Sequence, residues 1–296
     1  MPFYESRDRV PIYYETRGSG DPVVFVHGLT ANHRHFKYQV GMFRKTHRTI
    51  AYDLRGHGAS GVPDHNLNIS ALANDLKELI DYLDVSPATL VGWSLGAHVI
   101  FEFIEKFGQG DIGRFVIIDM APRLMKQDPG AQTDPWSYGL RGLSGVFGDF
   151  DHADNTAMLA YIVESDWRVF SRNLAERLQD RAQIKDGVFD YESGFKGKTD
   201  MEWLYDQALD NRAHVIASLW ASMAFKDYRR LLDHIGLPVL IAYGEGSQYY
   251  PGENSRYMHE RLKNSHLVPF PGCGHAPHIQ DPERFNRVLH DFMRRD

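Results

Sequence analysis

The chain has 296 residues, 43% of them apolar and 24% charged, with a net charge of −6 at pH 7. This length can bury a full core, and the acidic balance argues against a basic nucleic-acid groove or a cationic membrane-binding face. The single cysteine, Cys273, excludes an intramolecular disulfide and a multi-cysteine zinc site.

Two short strands are expected over 4–7 and 12–16, with Asp8-Arg9 as the turn between them. The run 22–26 is continuously β-branched and aromatic, which suits a strand buried on both faces, and it ends at His27-Gly28-Leu29-Thr30. A helix over 35–45 and a strand over 49–53 follow, the latter running into Asp53-Leu54-Arg55-Gly56-His57-Gly58-Ala59-Ser60. Ile69, Leu72, Leu76, Leu79, Ile80 and Leu83 recur at helical spacing and predict an amphipathic helix over 69–83. Then come a strand over 88–92, a helix over 95–107 and a buried strand over 115–118 that ends at Asp119.

After Pro122 the rhythm breaks. Helical segments are expected near 153–163, 166–180, 200–208 and 211–224, with no convincing buried strand among them. Four of the five tryptophans, Trp136, Trp167, Trp203 and Trp220, fall in this stretch. It reads as a helical cap inserted over 123–232. Sheet rhythm resumes with strands at 238–243 and 267–270, and with helices at 253–263 and 282–293. Strands alternating with helices imply a doubly wound, mostly parallel α/β sheet, so 1–122 and 233–296 form one interrupted domain. Ligands of such sheets sit beyond the carboxyl ends of the strands, where His27-Gly28-Leu29, Ser94 and Asp119 fall. Residues 1–8 carry no basic-then-apolar leader, and no run reaches the roughly 20 apolar residues of a membrane span, so a soluble, cytoplasmic protein is expected.

The stretch Gly92-Trp93-Ser94-Leu95-Gly96 stands between a strand and a helix. Glycine on both shoulders allows a bend too tight for side chains. The bend lifts Ser94 to a helix N-terminus, where free amides favour developing negative charge. This is the arrangement of a nucleophile elbow.

With this elbow, His27-Gly28-Leu29, the loop 53–60 and Gly272-Cys273-Gly274-His275-Ala276, the chain resembles the α/β-hydrolase family over all its core strands. The resemblance implies that His275 is the base that activates Ser94. It also implies that the backbone N–H groups of Leu29 and Leu95 form an oxyanion hole. The family commonly places the third, acidic member after the strand at 238–243, as Gly-Glu-x-Asp. Here the stretch is Gly244-Glu245-Gly246-Ser247, and serine supplies no charge. Some members carry the acid after the strand that follows the elbow helix, which is Asp119 here. The expected triad is therefore Ser94, His275 and Asp119, with Glu245 as the reserve acid.

Other polar residues have plainer readings. Asp53, Arg55 and His57 are expected to fix a loop by hydrogen bonds. His33 and His35 lack a spaced third metal ligand and are expected to be exposed or at a pocket edge. His278 falls outside the Gly-x-Gly-His pattern and reads as a bystander, and Cys273 reads as a packing residue. Trp93 could line the acyl pocket or join the core.

The resemblance implies a cofactor-independent and metal-independent serine hydrolase acting on a carboxylic ester or related small-molecule acyl substrate. Neither nucleic acid nor membrane is expected as a partner, and a homo-oligomer is left open. Lactonase, carbon–carbon hydrolase, amidase and perhydrolase activity share the triad. Ser94 argues against the dehalogenases and epoxide hydrolases, which use an aspartate at the elbow. From a different class, a ligand-binding receptor with little turnover is the rival reading.

Overall fold

The computed structural model describes residues 2–124, 210–247 and 249–295. Its strands are β1 (Phe3–Glu5), β2 (Pro11–Arg17), β3 (Pro22–Val26), β4 (Arg48–Tyr52), β5 (Ala88–Trp93), β6 (Ile112–Ile118), β7 (Val239–Gly244) and β8 (Ser265–Phe270). They form one eight-stranded sheet in the order β1-β2-β4-β3-β5-β6-β7-β8. β2 runs antiparallel to both its neighbours, and every pair from β4 across to β8 is parallel. The doubly wound, mostly parallel sheet expected from the strand–helix rhythm is present.

The continuous apolar runs follow from burial on both faces. Successive side chains on a strand point to opposite sides. Val24 and Val26 of β3, Leu90 of β5 and Ile117 of β6 join one core cluster. Val23, Phe25, Val91 and Val116 join the other. The first cluster is closed by α2 (Ile69–Leu83) and α3 (Leu95–Phe107), and the second by α1 (Lys37–Phe43) and the C-terminal α8 (Pro282–Met293).

Local sequence sets the helix ends. Asn68 caps α2 by accepting from the Ala71 amide, and Asp84 ends it in the left-handed conformation at φ 50°. The observed bounds of α2 are those its apolar spacing predicts. The helix expected over 35–45 is instead a 3₁₀ turn, His33–Phe36, leading into α1. Asn32 causes the difference, because its side chain accepts from the Arg34 amide and starts the turn two residues early.

Of the proposed cap, the segments near 153–163, 166–180 and 200–208 lie outside the described residues, as do Trp136, Trp167 and Trp203. Its last helix is seen as α4 (Ala213–Ala224), followed by the short α5 (Arg229–Leu232). The two ends of the insertion are tied together. Arg123 bridges Asp227, and the Tyr228 amide donates to the Pro122 carbonyl at 2.9 Å. The remaining helices are α6 (Gly252–Arg261) and the short α7 (Pro277–Gln280). Among the described residues no helix is long and apolar enough to cross a membrane.

Candidate active site

Ser94 sits between the last residue of β5 and the first of α3, at φ 52° and ψ −120°. A positive φ is costly for a residue with a Cβ and persists only where its surroundings enforce it. They do so here through close approach. A Cβ on Gly96 would lie 2.0 Å from the Val26 carbonyl oxygen, and one on Gly92 would lie 2.6 Å from the Ala97 nitrogen. The Ser94 amide is spent on the Ile118 carbonyl, 3.0 Å away on the neighbouring strand. The residue is buried, 8% exposed.

Asp119 follows β6 directly and is also in the left-handed region, at φ 44°. Its amide donates to the Ala242 carbonyl at 2.8 Å. Its carboxylate, buried at 1% exposure, collects three donors. His275 Nδ1 lies 2.7 Å from Oδ2, the Ser247 hydroxyl donates to the same oxygen at 2.6 Å, and the Gly244 amide reaches Oδ1 at 3.3 Å. Because a carboxylate only accepts, Nδ1 of His275 is the donor of this pair, which in the neutral ring leaves Nε2 as the acceptor nitrogen. Glu245, the reserve acid, is exposed. The structure therefore joins His275 to Asp119 and to no other acid among the described residues.

Two contacts bring His275 to the elbow. The Trp93 indole N–H donates to the His275 carbonyl at 2.8 Å, and the two rings lie 5.5 Å apart. Tyr250 lies on the same side: its ring is 5.5 Å from that of His275, and its hydroxyl lies near the Ser94 side chain. Trp93, open between pocket and core in the sequence, belongs to the core at 2% exposure.

Leu29 and Leu95 are positioned by different means. Leu95 is the first residue of α3, and the first amides of a helix have no intrahelical acceptor. Leu29 lies in a loop held by two buried histidines. His27 accepts from the Leu54 amide through Nε2 at 2.9 Å and pairs through Nδ1 with the Gly28 carbonyl at 2.8 Å. His57 accepts from the Thr30 amide at 3.3 Å and pairs with the Arg55 carbonyl at 3.2 Å. Burial keeps both rings neutral, holding His27 well below the ordinary histidine value and His57 at about 4. That is the state in which one nitrogen can accept while the other donates. Asn211, just before α4, closes the loop from the other side by donating to the Thr30 carbonyl at 2.8 Å.

The 53–60 loop is fixed as expected. Arg55 forms paired bonds of 2.6 Å to Asp75 and of 2.7 and 2.9 Å to Asp8. Asp53 accepts from the Ala59 amide and from both the amide and Nδ1 of His33. The placement of His33 and His35 at an exposed or pocket edge is corrected. They are 8% and 3% exposed. His33 is drawn in by Asp53, and by Glu15 at 3.5 Å. His35 stacks on Trp93 at 5.5 Å. Among the described residues no group of three histidine, cysteine or acidic side chains could hold a metal ion. Cys273 is a packing residue, 4% exposed, with its thiol pushed up to about 11 by burial. His278 is fully buried against Phe36 and Trp93.

Sequence reasoning missed Tyr250, Asn211, the hydrogen bond of Ser247 to Asp119 and the clamping role of His27. Only His27 carried a signal, as a histidine at the end of a buried strand where no apolar partner would need it.

With this geometry in place, comparison with known proteins extends over nearly the whole chain. Residues 23–288 match the model of the alpha/beta hydrolase family. A bifunctional esterase/perhydrolase of Acinetobacter calcoaceticus is 27% identical over 301 residues, covering 99% of this chain and all of that one. A putative non-heme chloroperoxidase of Synechocystis is 26% identical over 294 residues, covering 98% and 97% of the two chains. Among solved structures, an esterase from Exiguobacterium antarcticum superimposes with a TM-score of 0.81 at 23% identity, covering 99% of each chain, a likeness of fold. A strand–elbow–helix with its serine at positive φ, a histidine after the last strand, and a family match over residues 23–288 agree: the chain belongs to the alpha/beta hydrolase family.

Proposed function

We propose that the protein is a serine hydrolase that cleaves carboxylic esters through an acyl-enzyme on Ser94. The observation that carries this reading is the 2.7 Å bond from His275 Nδ1 to Asp119, beside a serine held in a strained elbow. In the proposed cycle His275 Nε2 takes the Ser94 proton as Oγ bonds to the acyl carbon. Asp119 stabilises the imidazolium that results. The amides of Leu29 and Leu95 receive the charge on the carbonyl oxygen. The alcohol leaves with the proton from His275, and water attacks the acyl-serine by the same path in reverse.

The relatives' names support a second reading on the same triad. Esterase/perhydrolase and chloroperoxidase relatives suggest that hydrogen peroxide can replace water in the second step and release a peroxyacid. Lactonase, carbon–carbon hydrolase and amidase chemistry would use the same groups on other acyl substrates.

The test is turnover of a short p-nitrophenyl ester by the wild type and by Ser94→Ala, with fluorophosphonate labelling of each. Loss of turnover by at least about a thousandfold, together with loss of labelling, is expected. Equal turnover would sink the assignment. A wild type that neither turns over esters nor takes the label would favour the receptor reading.

A further inference from the structure

Tyr250 lies just after β7, outside every motif the chain shares with the family. It is 5% exposed. Its amide donates to Ser247 Oγ at 3.2 Å, so the same serine that binds Asp119 also fixes the tyrosine backbone. Its ring lies 5.5 Å from that of His275, while Tyr249 covers the same imidazole at 4.6 Å. Its hydroxyl lies near the Ser94 side chain. Burial and the nearby Asp119 push the phenol far above its ordinary value, so the O–H stays protonated wherever the enzyme works.

Sheet order sets the two loops on opposite sides of β5. Ser94 follows β5. The Leu29 loop follows β3 on one side of β5, whereas Tyr250 follows β7 on the other side, beyond β6. A carbonyl oxygen directed at the Leu29 amide lies toward the β3 side of Ser94, opposite the side from which the Tyr250 loop enters. The leaving oxygen must face His275, which hands it a proton, and Tyr250 stands beside His275. Resting on the reading of Ser94 as nucleophile, we infer that Tyr250 is a further catalytic residue, its phenolic O–H hydrogen-bonding the leaving oxygen of the ester as the acyl–oxygen bond breaks.

The step balances without a net proton transfer from the phenol. Ser94 Oγ bonds to the acyl carbon, the carbon–alkoxide bond breaks, and the proton that His275 took from Ser94 goes to the alkoxide. Tyr250 lowers the charge on that oxygen in the transition state and keeps its own proton. In the second half the same O–H holds the attacking water.

The experiment compares Tyr250→Phe with wild type on an ethyl ester and a p-nitrophenyl ester of the same acid. An ethoxide concentrates charge on oxygen as it leaves, whereas p-nitrophenolate spreads it into the ring. Loss of a hydrogen bond to a charged oxygen is worth about tenfold to a hundredfold in rate. We expect kcat/KM for the ethyl ester to fall by that factor, and the ethyl-to-aryl ratio to drop by about tenfold or more. The phenyl ring keeps its contact with His275, and Tyr249→Phe is the control, expected to move both esters in parallel. Parallel loss on both esters for Tyr250→Phe, or no loss on either, would overturn the inference, as would a ratio change produced by Tyr249→Phe instead. Ser94→Ala, assayed alongside, separates the two readings. Full activity there overturns the nucleophile, whereas an inactive Ser94→Ala with an unchanged ester ratio in Tyr250→Phe overturns Tyr250 alone.

Discussion

The Ser247 hydroxyl donates to Asp119 Oδ2 at 2.6 Å, on the same oxygen that receives His275 Nδ1 at 2.7 Å. The residue that stands where an acid is commonly found is thus a hydrogen-bond partner of the proposed acid. The serine follows β7 and the aspartate follows β6, adjacent parallel strands whose ends bring the two loops together. A carboxylate with two short donors on one oxygen is fixed in orientation, and so is the imidazole it holds.

This pairing makes the acid testable. Asp119→Asn is expected to lower kcat by roughly 10³–10⁴-fold, because an amide cannot both hold the tautomer and stabilise the imidazolium. Glu245→Gln, at an exposed position, should stay within about twofold of wild type. Ser247→Ala removes one donor and should cost about tenfold. Ser247→Asp sets a second carboxylate against Asp119 and should cost more at neutral pH than the alanine does, since adjacent carboxylates resist ionising together. Esterase kinetics on the four variants check the order, and a larger loss at Glu245 than at Asp119 would relocate the acid.

Asn211 ties the Thr30 carbonyl at 2.8 Å, one residue beyond the proposed oxyanion donor Leu29. Asn211→Ala should loosen that loop and lower kcat by about tenfold with little change in KM, because the amide of Leu29 matters most when charge develops. A KM effect with unchanged kcat would show that Asn211 serves substrate binding instead.

His33 is held between Asp53 and Glu15, and although burial opposes its charge, these carboxylates raise its pKa to about 9. Its partner Glu15 is lowered to about 2, chiefly by the hydrogen bond from His33. The sign follows from proton counting. A histidine raised on folding stabilises fully below its unfolded value of about 6.5, and that stabilisation fades as pH rises to about 9. The Glu15 contribution is complete above about 4.5 and fades toward about 2. His33→Gln should therefore cost the most, on the order of 2–3 kcal/mol, between pH 5 and 6.5. The deficit should shrink by pH 9.5. Thermal melts of both proteins across pH 5–10 give the answer, and a constant gap would exclude the ion cluster as its source.

His278 is fully buried, with neither ring nitrogen hydrogen-bonded among the described residues. Its neighbours Phe36, Trp93 and Phe285 are aromatic. An unsatisfied buried polar group costs about 1–3 kcal/mol, so His278→Phe is expected to raise Tm by a few degrees. Burial holds the His278 ring well below its ordinary pKa, so the unfolded chain binds a proton below about pH 6.5 that the folded chain refuses. The advantage of the phenylalanine should therefore widen from pH 7 to pH 5. A variant that melts lower at both values would contradict this account.

What the sequence by itself determined is what local chemistry controls. Apolar runs placed the buried strands, and the 3.6-residue stripe of Ile69 to Leu83 placed α2 to the residue. Gly92 and Gly96 marked the elbow because only glycine clears the backbone there. Ser94, His275 and the alternative acid Asp119 were all legible, each standing at a strand end. The tertiary structure alone decided which groups touch. Asp119 and His275 are 156 residues apart, Asp119 and Ser247 are 128 apart, and Asn211 and Thr30 are 181 apart. His33 and His35 were misplaced for the same reason: their spacing says nothing of Asp53 or Trp93, the partners that bury them. Periodicity fixes which face a side chain takes on its own element, but side-chain pairing depends on the order of strands in the sheet. That order is set by the packing of the whole chain.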